Sequence, residues 1–256
     1  MTEHEYRAHR AALKQWLNTA PGRYVQGWEQ QQINQWLSNV FGYHAIQIGM
    51  PHWDLLANNR ILHKWYTQSQ ESTPSTLSSA QRLVCEPEYL PFANESIDLL
   101  VLPHVLETSS DPHQVLREVQ RVLVPEGQVV FSGFNPWSLW GGRERLPGLE
   151  CLLPIAPHYQ IPPWRVADWL EVLSFEVTDE LTGCFRPLCL EERWLQRWCF
   201  MDKLGARWWP QLGAAYALKA KKRVTHMTLV GMNWSKKAPA SAVHTSVNAK
   251  NTRNKS

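Results

Sequence analysis

The sequence has little of what several specialised classes of protein require. It contains five cysteines, at 85, 151, 184, 189 and 199, an odd number without a Cys-x-x-Cys pair. That excludes a disulfide-stapled miniprotein, argues against a zinc knuckle or thiol redox motif, and leaves reduced, mostly buried thiols as the expectation. The ten histidines form no His-Glu-x-x-His or His-x-His cluster, so no metal is expected. No apolar run approaches the roughly 18 residues of a membrane-spanning helix. The first residues, Met1-Thr2-Glu3-His4-Glu5-Tyr6-Arg7, lack the basic segment and apolar stretch of a secretory signal, and a cytoplasmic location is expected. There is no internal repeat. Among 256 residues, 44% are hydrophobic and 19% charged, which excludes wholesale disorder and allows a substantial core.

Net charge is also small, at +3, and its distribution matters more than its size. Five of the 26 basic residues (Lys236, Lys237, Lys250, Arg253, Lys255) fall within residues 235–256, which hold no acid. The preceding part therefore carries two more acids than bases. The tail has too little apolar content to fold alone and is expected to be a disordered, solubilising segment; a weak electrostatic contact with nucleic acid through it is the alternative.

What is present is a strong alternation of strand and helix signals. Leu13, Trp16 and Leu17, then Ile33, Trp36 and Leu37, recur at helical spacing on either side of Pro21-Gly22, which predicts two amphipathic helices broken there. Tyr43-His44-Ala45-Ile46-Gln47-Ile48-Gly49 reads as a strand ending at glycine, and Trp53-Asp54-Leu55-Leu56 as the helix it feeds, the opening of a doubly wound α/β domain. Weaker strand candidates lie at residues 61–66 and 82–85. Ile97-Asp98-Leu99-Leu100-Val101-Leu102 is the apolar run of a buried parallel strand. Asp111-Pro112 caps a helix whose apolar face is Val115, Leu116, Val119, Val122 and Leu123, ended by Pro125-Glu126-Gly127. Residues 128–134 then form another buried strand, completing a right-handed β-α-β unit. Helices are predicted at 166–173, 193–201 and 213–222, with strands at 175–178 and 226–230. Trp164, Trp169, Trp194, Trp198, Trp208 and Trp209 sit at helical spacings and are read as core or helix-packing residues.

Leu90-Pro91-Phe92-Ala93-Asn94-Glu95-Ser96-Ile97-Asp98-Leu99-Leu100-Val101, Pro103-His104-Val105-Leu106-Glu107, Asp111-Pro112, Leu116-Arg117-Glu118-Val119, Arg121-Val122-Leu123, Pro125-Glu126-Gly127 and Phe134-Asn135-Pro136 together resemble the class I S-adenosylmethionine-dependent methyltransferases. The closest group is the type 11, ubiquinone/menaquinone-biosynthesis-like branch, in an uncharacterised bacterial subfamily. The match is dense over about 45 residues and agrees in order with the strand-helix-strand reading. It implies a doubly wound, mostly parallel Rossmann-like sheet with an antiparallel last strand and helices on both faces. The domain would span residues 43–234, after a helical extension at 1–42 and before the tail at 235–256.

The resemblance also assigns residues. The family's first strand ends in an acid and a Gly-x-Gly turn; here Gln47 stands in the acid's place and only Gly49, followed by Met50, remains of the turn. Glu86 matches the acid that contacts the adenine amino group. No acid lies where the ribose carboxylate is expected, and Glu71 is the first available. Pro103 and His104 end the fourth strand, where ligands meet parallel sheets; His104 is a candidate catalytic base as well as a wall of the cofactor or substrate site. Asn135, Pro136, Trp137 and Trp140 are candidates for the acceptor pocket. The implied activity is transfer of the methyl group of S-adenosylmethionine to an unidentified, small-molecule acceptor. The departures in the glycine turn keep a catalytically weakened binding or scaffold protein as the alternative, and the tail keeps an RNA-directed methyltransferase.

Overall fold

The computed structural model describes residues 3–50, 52–68, 81–148 and 151–223. Two helices, α1 (Glu3–Trp16) and α2 (Ala20–Leu37), precede a seven-stranded sheet. The break between them falls at residues 17–19 rather than at Pro21-Gly22, because Pro21 sits in the first turn of α2, where a missing N–H is harmless, and the Thr19 hydroxyl accepts from the Gly22 N–H as the cap.

The strands are β1 (His44–Ile48), β2 (His63–Gln68), β3 (Gln81–Val84), β4 (Ile97–Pro103), β5 (Leu123–Phe134), β6 (Phe175–Gly183) and β7 (Ala215–Lys222). Their spatial order is β3-β2-β1-β4-β5-β7-β6. The first five are parallel, and β7 runs antiparallel to both its neighbours. Helix α3 (Pro112–Val122) makes the crossover from β4 to β5, capped as expected by the Asp111 carboxylate accepting from the Gln114 N–H at 2.9 Å. Helices α4 (Leu139–Glu144), α5 (Pro163–Val172), α6 (Glu192–Arg197) and α7 (Phe200–Trp208) complete the described residues. Strand alternation along β4 splits the core: Leu100 and Leu102 pack towards α3 and α5, and Leu99 and Val101 towards Ile33 and Leu37 of α2.

Two predicted elements are corrected. Residues 53–56 are not helical: Leu55 and Leu56 are buried within an irregular connection whose backbone is tied to a side chain of β1, as described below. Residues 215–222, predicted as helix, form β7. Their alanines, leucine and lysines favour helix by only fractions of a kcal/mol per residue. Inserted between β5 and β6, the segment gains hydrogen-bonded ladders on both edges and buries Ala215, Tyr216, Ala217, Leu218 and Ala220. The Tyr216 ring lies over Gly133, its partner in the ladder, at a distance a Cβ would close to 2.8 Å. The predicted strand at 226–230, the basic tail and Glu71 lie outside the described residues.

The Leu-Pro-Phe and Arg-Val-Leu parts of the motif have a common physical explanation. Arg121 donates to the carbonyls of Leu90 and Phe92 and to Asn94 Oδ1, each at 2.8 Å, and is itself held by Glu118, which also accepts from the Leu90 N–H at 3.0 Å. One planar guanidinium thereby fixes the loop that enters β4. Replacing Arg121 with Met, which keeps the stem and removes the fork, is expected to destabilise the protein by about 1.5–3 kcal/mol in urea unfolding, with Arg121→Lys recovering only part.

Candidate active site

A cavity of about 420 Å³ opens at the carboxyl ends of β1, β2 and β4, where strand order reverses between β1 and β4, the place where ligands bind in open α/β sheets. Its floor includes Ile48, Gly49, Met50, Thr67 and Pro103, and Cys85 and Pro87 form a side wall. The roof comes from the N-terminal helices: Arg10 and Lys14 of α1 and Gln26 of α2 line it. Arg10 straps α1 across the opening, donating to the Thr108 carbonyl at 3.1 Å and pairing with Glu86 at 2.7 Å.

The turn after β1 holds the backbone that the motif requires. Gly49 is left-handed at φ +76°, and Met50 follows at φ +46°; a Cβ on residue 49 would press on Val105 Cγ2 at 3.3 Å. Gln47 has a different task from the acid it replaces. Fully buried, its Nε2 donates to the carbonyls of Met50 at 3.1 Å and Trp53 at 2.5 Å, and its Oε1 accepts from the Leu55 N–H at 3.0 Å. An amide can both donate and accept there, and a carboxylate cannot donate. Gln47→Glu is therefore expected to lower stability by about 1–3 kcal/mol, read from the thermal midpoint, because two carbonyls lose their donor and face a charge.

The remaining predicted residues separate. Pro103 lies on the cavity wall with Gly49 and Met50. Glu86 is turned into a smaller adjoining cavity, where Arg10 engages it. Among the 16 described residues lining the main cavity there is no carboxylate, while Arg10, Lys14 and His52 are present. Burial, then the charges of Lys14 and Arg82, hold the His52 imidazole below its ordinary range, so it is neutral at pH 7. Asn135 and Trp140 are fully enclosed elsewhere: Asn135 Nδ2 ties the carbonyls of Gln211 and Gly213, and the Trp140 indole donates to the Arg186 carbonyl. Neither they nor Pro136 and Trp137 line the cavity.

His104 does not reach the cavity either. Its backbone is left-handed at φ +53°, which turns the ring away from the neighbouring wall residues Pro103 and Val105 and into the protein, where it has no exposure. Glu107 Oε1 meets Nδ1, and Glu29 Oε1 lies 3.1 Å from Nε2 as an ion pair without good hydrogen-bond alignment. The other carboxylate oxygens are answered: Glu29 Oε2 accepts from the Ser132 hydroxyl at 2.9 Å, and Glu107 Oε2 from the Phe134 N–H at 3.2 Å. A base enclosed in this way has no path to an acceptor's proton. Glu29 was missed in the sequence, although a signal exists: it falls at four-residue spacing among Val25, Ile33 and Leu37, a charge on the buried stripe of α2.

Burial alone would push the His104 imidazole down, but the carboxylates of Glu29 and Glu107 outweigh it and raise its pKa to about 10. The unfolded chain protonates near 6.5, so the stabilisation is complete below that pH and is lost as pH rises through about 10. Urea unfolding is expected to show declining stability from pH 7 upwards. His104→Gln is expected to remove much of this decline and to cost about 3–5 kcal/mol at neutral pH, since two buried carboxylates lose their cation.

The strand order with its antiparallel β7, and a ligand-sized cavity behind a left-handed glycine at the end of β1, define a known class. Residues 60–131 match a family described as a methyltransferase domain. In sheet order and cavity position the chain has the fold of the class I S-adenosylmethionine-dependent methyltransferases, and the domain match over residues 60–131 implies S-adenosylmethionine as the cofactor. Within that class it belongs to the same family as the uncharacterized protein YafS of Escherichia coli (strain K12): the two are 31% identical over 210 residues, covering 82% of this chain and 81% of YafS. Among solved structures, a SAM-dependent methyltransferase from Archaeoglobus fulgidus matches with a TM-score of 0.56 and 17% identity, over 77% of this chain and 94% of that one. A chain from the complex between the Haloferax volcanii Trm112 methyltransferase activator and a methyltransferase matches with a TM-score of 0.57 and 13% identity, over 85% and 98% of the two chains. At these identities the likeness to both structures is one of fold.

Proposed function

We propose that this enzyme methylates a small-molecule acceptor in the cavity beneath α1, and that Gly49, Met50, Thr67 and Pro103 seat the cofactor. The observation that carries the reading is the cavity itself: about 420 Å³ at the switch point of the sheet, with a left-handed glycine on its floor. The residues present fit S-adenosylmethionine in most respects. The Gly49 turn lets backbone approach a ligand without a Cβ, and Pro87, Cys85 and Val105 offer an apolar slot for a flat ring. Thr67 brings a hydroxyl, and Lys14 a cation for a carboxylate. Among the described residues none of the cavity lining is a carboxylate for the ammonium or ribose groups.

When bound, S-adenosylmethionine supplies an electrophilic methyl carbon on a sulfonium. The chain's own contribution is to align the acceptor and exclude water, for which the roof of α1 and the apolar wall are suited. His104, enclosed between Glu29 and Glu107, acts in this reading as a positioning residue behind Pro103 and Val105. The neutral His52 is the imidazole on the cavity wall.

Titration with S-adenosylmethionine tests the proposal. At about 100 times its dissociation constant the ligand is expected to add roughly 2.7 kcal/mol of stability, a thermal shift of a few degrees. Gly49→Val is expected to abolish the shift while leaving the protein folded. The absence of any shift with wild-type protein would refute the seat proposed here and favour a weakened, scaffold-type member of the family.

A further inference from the structure

Helices α6 and α7, joined through Trp198 and Cys199, carry two parallel stripes. The first is apolar: Trp194 and Trp198, then Phe200, Leu204 and Trp208, each set spaced by four residues and therefore on one helix face. The spacing of these tryptophans predicts core or helix-packing positions. The structure places all five side chains in solvent, between 36% and 68% exposed. The inward contacts are made instead by Leu195, which is buried, and by Gly205, where the Phe185 ring occupies the space a Cβ would need.

The second stripe is cationic. Arg193, Arg197, Lys203 and Arg207 each stand one residue before a member of the apolar stripe, about 100° round the helix from it. None of the four is ion-paired with a described residue, and Arg197 lies over the Trp194 ring at 5.5 Å. The acids of the segment are otherwise engaged: Glu192 pairs with Arg23 at 3.4 Å, and Asp202 with Arg186 at 2.8 Å, leaving Glu191. Those pairs and the Gly205–Phe185 contact fix the helices to the body, so the exposed stripe is held in place.

A contiguous exposed row of large aromatic and aliphatic side chains marks a contact surface. Its composition selects the partner. Protein interfaces also gather tryptophan, phenylalanine and arginine, but four unpaired cations of one sign, lysine among them, running beside tryptophan, phenylalanine and leucine are the make-up of helices lying in a lipid headgroup layer. No helix among the described residues is long and apolar enough to cross a membrane, so such a contact would be one of lying on a surface. We propose that the α6–α7 face docks this enzyme on an anionic bilayer, with the apolar stripe in the headgroup layer and the four cations against acidic lipids. Helix α2 links this face to the active site: Arg23 and Tyr24 hold α6 and α7, and Gln26 lines the cavity.

The test is co-sedimentation of the full chain with vesicles of phosphatidylcholine alone and of phosphatidylcholine mixed with phosphatidylglycerol. Partition is expected to be roughly tenfold stronger onto the anionic vesicles and to weaken with salt. Trp194→Ser with Trp208→Ser is expected to abolish it. Replacing Arg193, Arg197, Lys203 and Arg207 together with Gln is expected to remove the anionic preference. If circular dichroism shows that the tryptophan variant does not fold, the four-cation variant, whose side chains make no ion pair with a described residue, carries the test. The proposal fails if wild-type protein binds neither vesicle, or if binding persists unchanged in both variants. It also fails if light scattering finds a dimer that the tryptophan variant converts to monomer, which would make this face an interface between copies.

Discussion

An imidazolium held between two carboxylates, all three out of water, is the constraint on which the rest of this structure turns. Glu29 comes from α2, His104 from the end of β4, Glu107 from the 3-10 turn that follows, and the remaining carboxylate oxygens are answered by Ser132 and Phe134 of β5. Desolvating three such groups is expensive, and the cluster is tolerable because each carboxylate has both the cation and a hydrogen-bond donor. Removing His104 leaves two buried carboxylates without a cation. The cluster therefore commits α2 to the carboxyl end of the sheet and stiffens the wall of which Pro103 and Val105 are the cavity side.

That commitment explains why the N-terminal helices belong to the active site. Once α2 is pinned, Gln26 faces the cavity and α1 is carried over it, where Arg10 spans from Glu86 to the Thr108 carbonyl. The result is a roofed site with basic side chains and, among the described residues, no carboxylate on its wall. The connection after β1 shows the same economy of means. Without a helix among its described residues, it is organised by buried amides, chiefly that of Gln47, which answers the carbonyls of Met50 and Trp53 and the N–H of Leu55. The glutamine that looks like a lost cofactor contact is here a structural residue, and the glycine turn it supports keeps its left-handed backbone.

The α6–α7 segment between β6 and β7 works by a different rule. Its helices are anchored by charge pairs and by the small Gly205, and their large apolar side chains are turned outwards. Tryptophan at helical spacing is compatible with either side of a helix. The choice was made by the surroundings: Phe185 already fills the inward space at Gly205, and Asp202 is drawn inwards by Tyr24 and Arg186. The aromatic stripe is left on the opposite face.

Much of the fold was legible in local pattern. The run at β4, the Asp-Pro cap of α3 and the buried strand β5 follow from periodicity and capping alone, and the motif within them pointed to the methyltransferase class and its cofactor. Gly49 and Pro103, expected where parallel strands end, line the cavity. Tertiary structure decided the rest. Residues 215–222 became a strand because two ladders outweigh a weak helical preference, and the direction of the His104 ring was set by one left-handed residue and two carboxylates remote in sequence. Glu86 was turned aside by an arginine on a helix 76 positions away. Composition and spacing determine which segments can be helix or strand; which face is buried, and which charges meet, depends on neighbours that only the folded chain brings together.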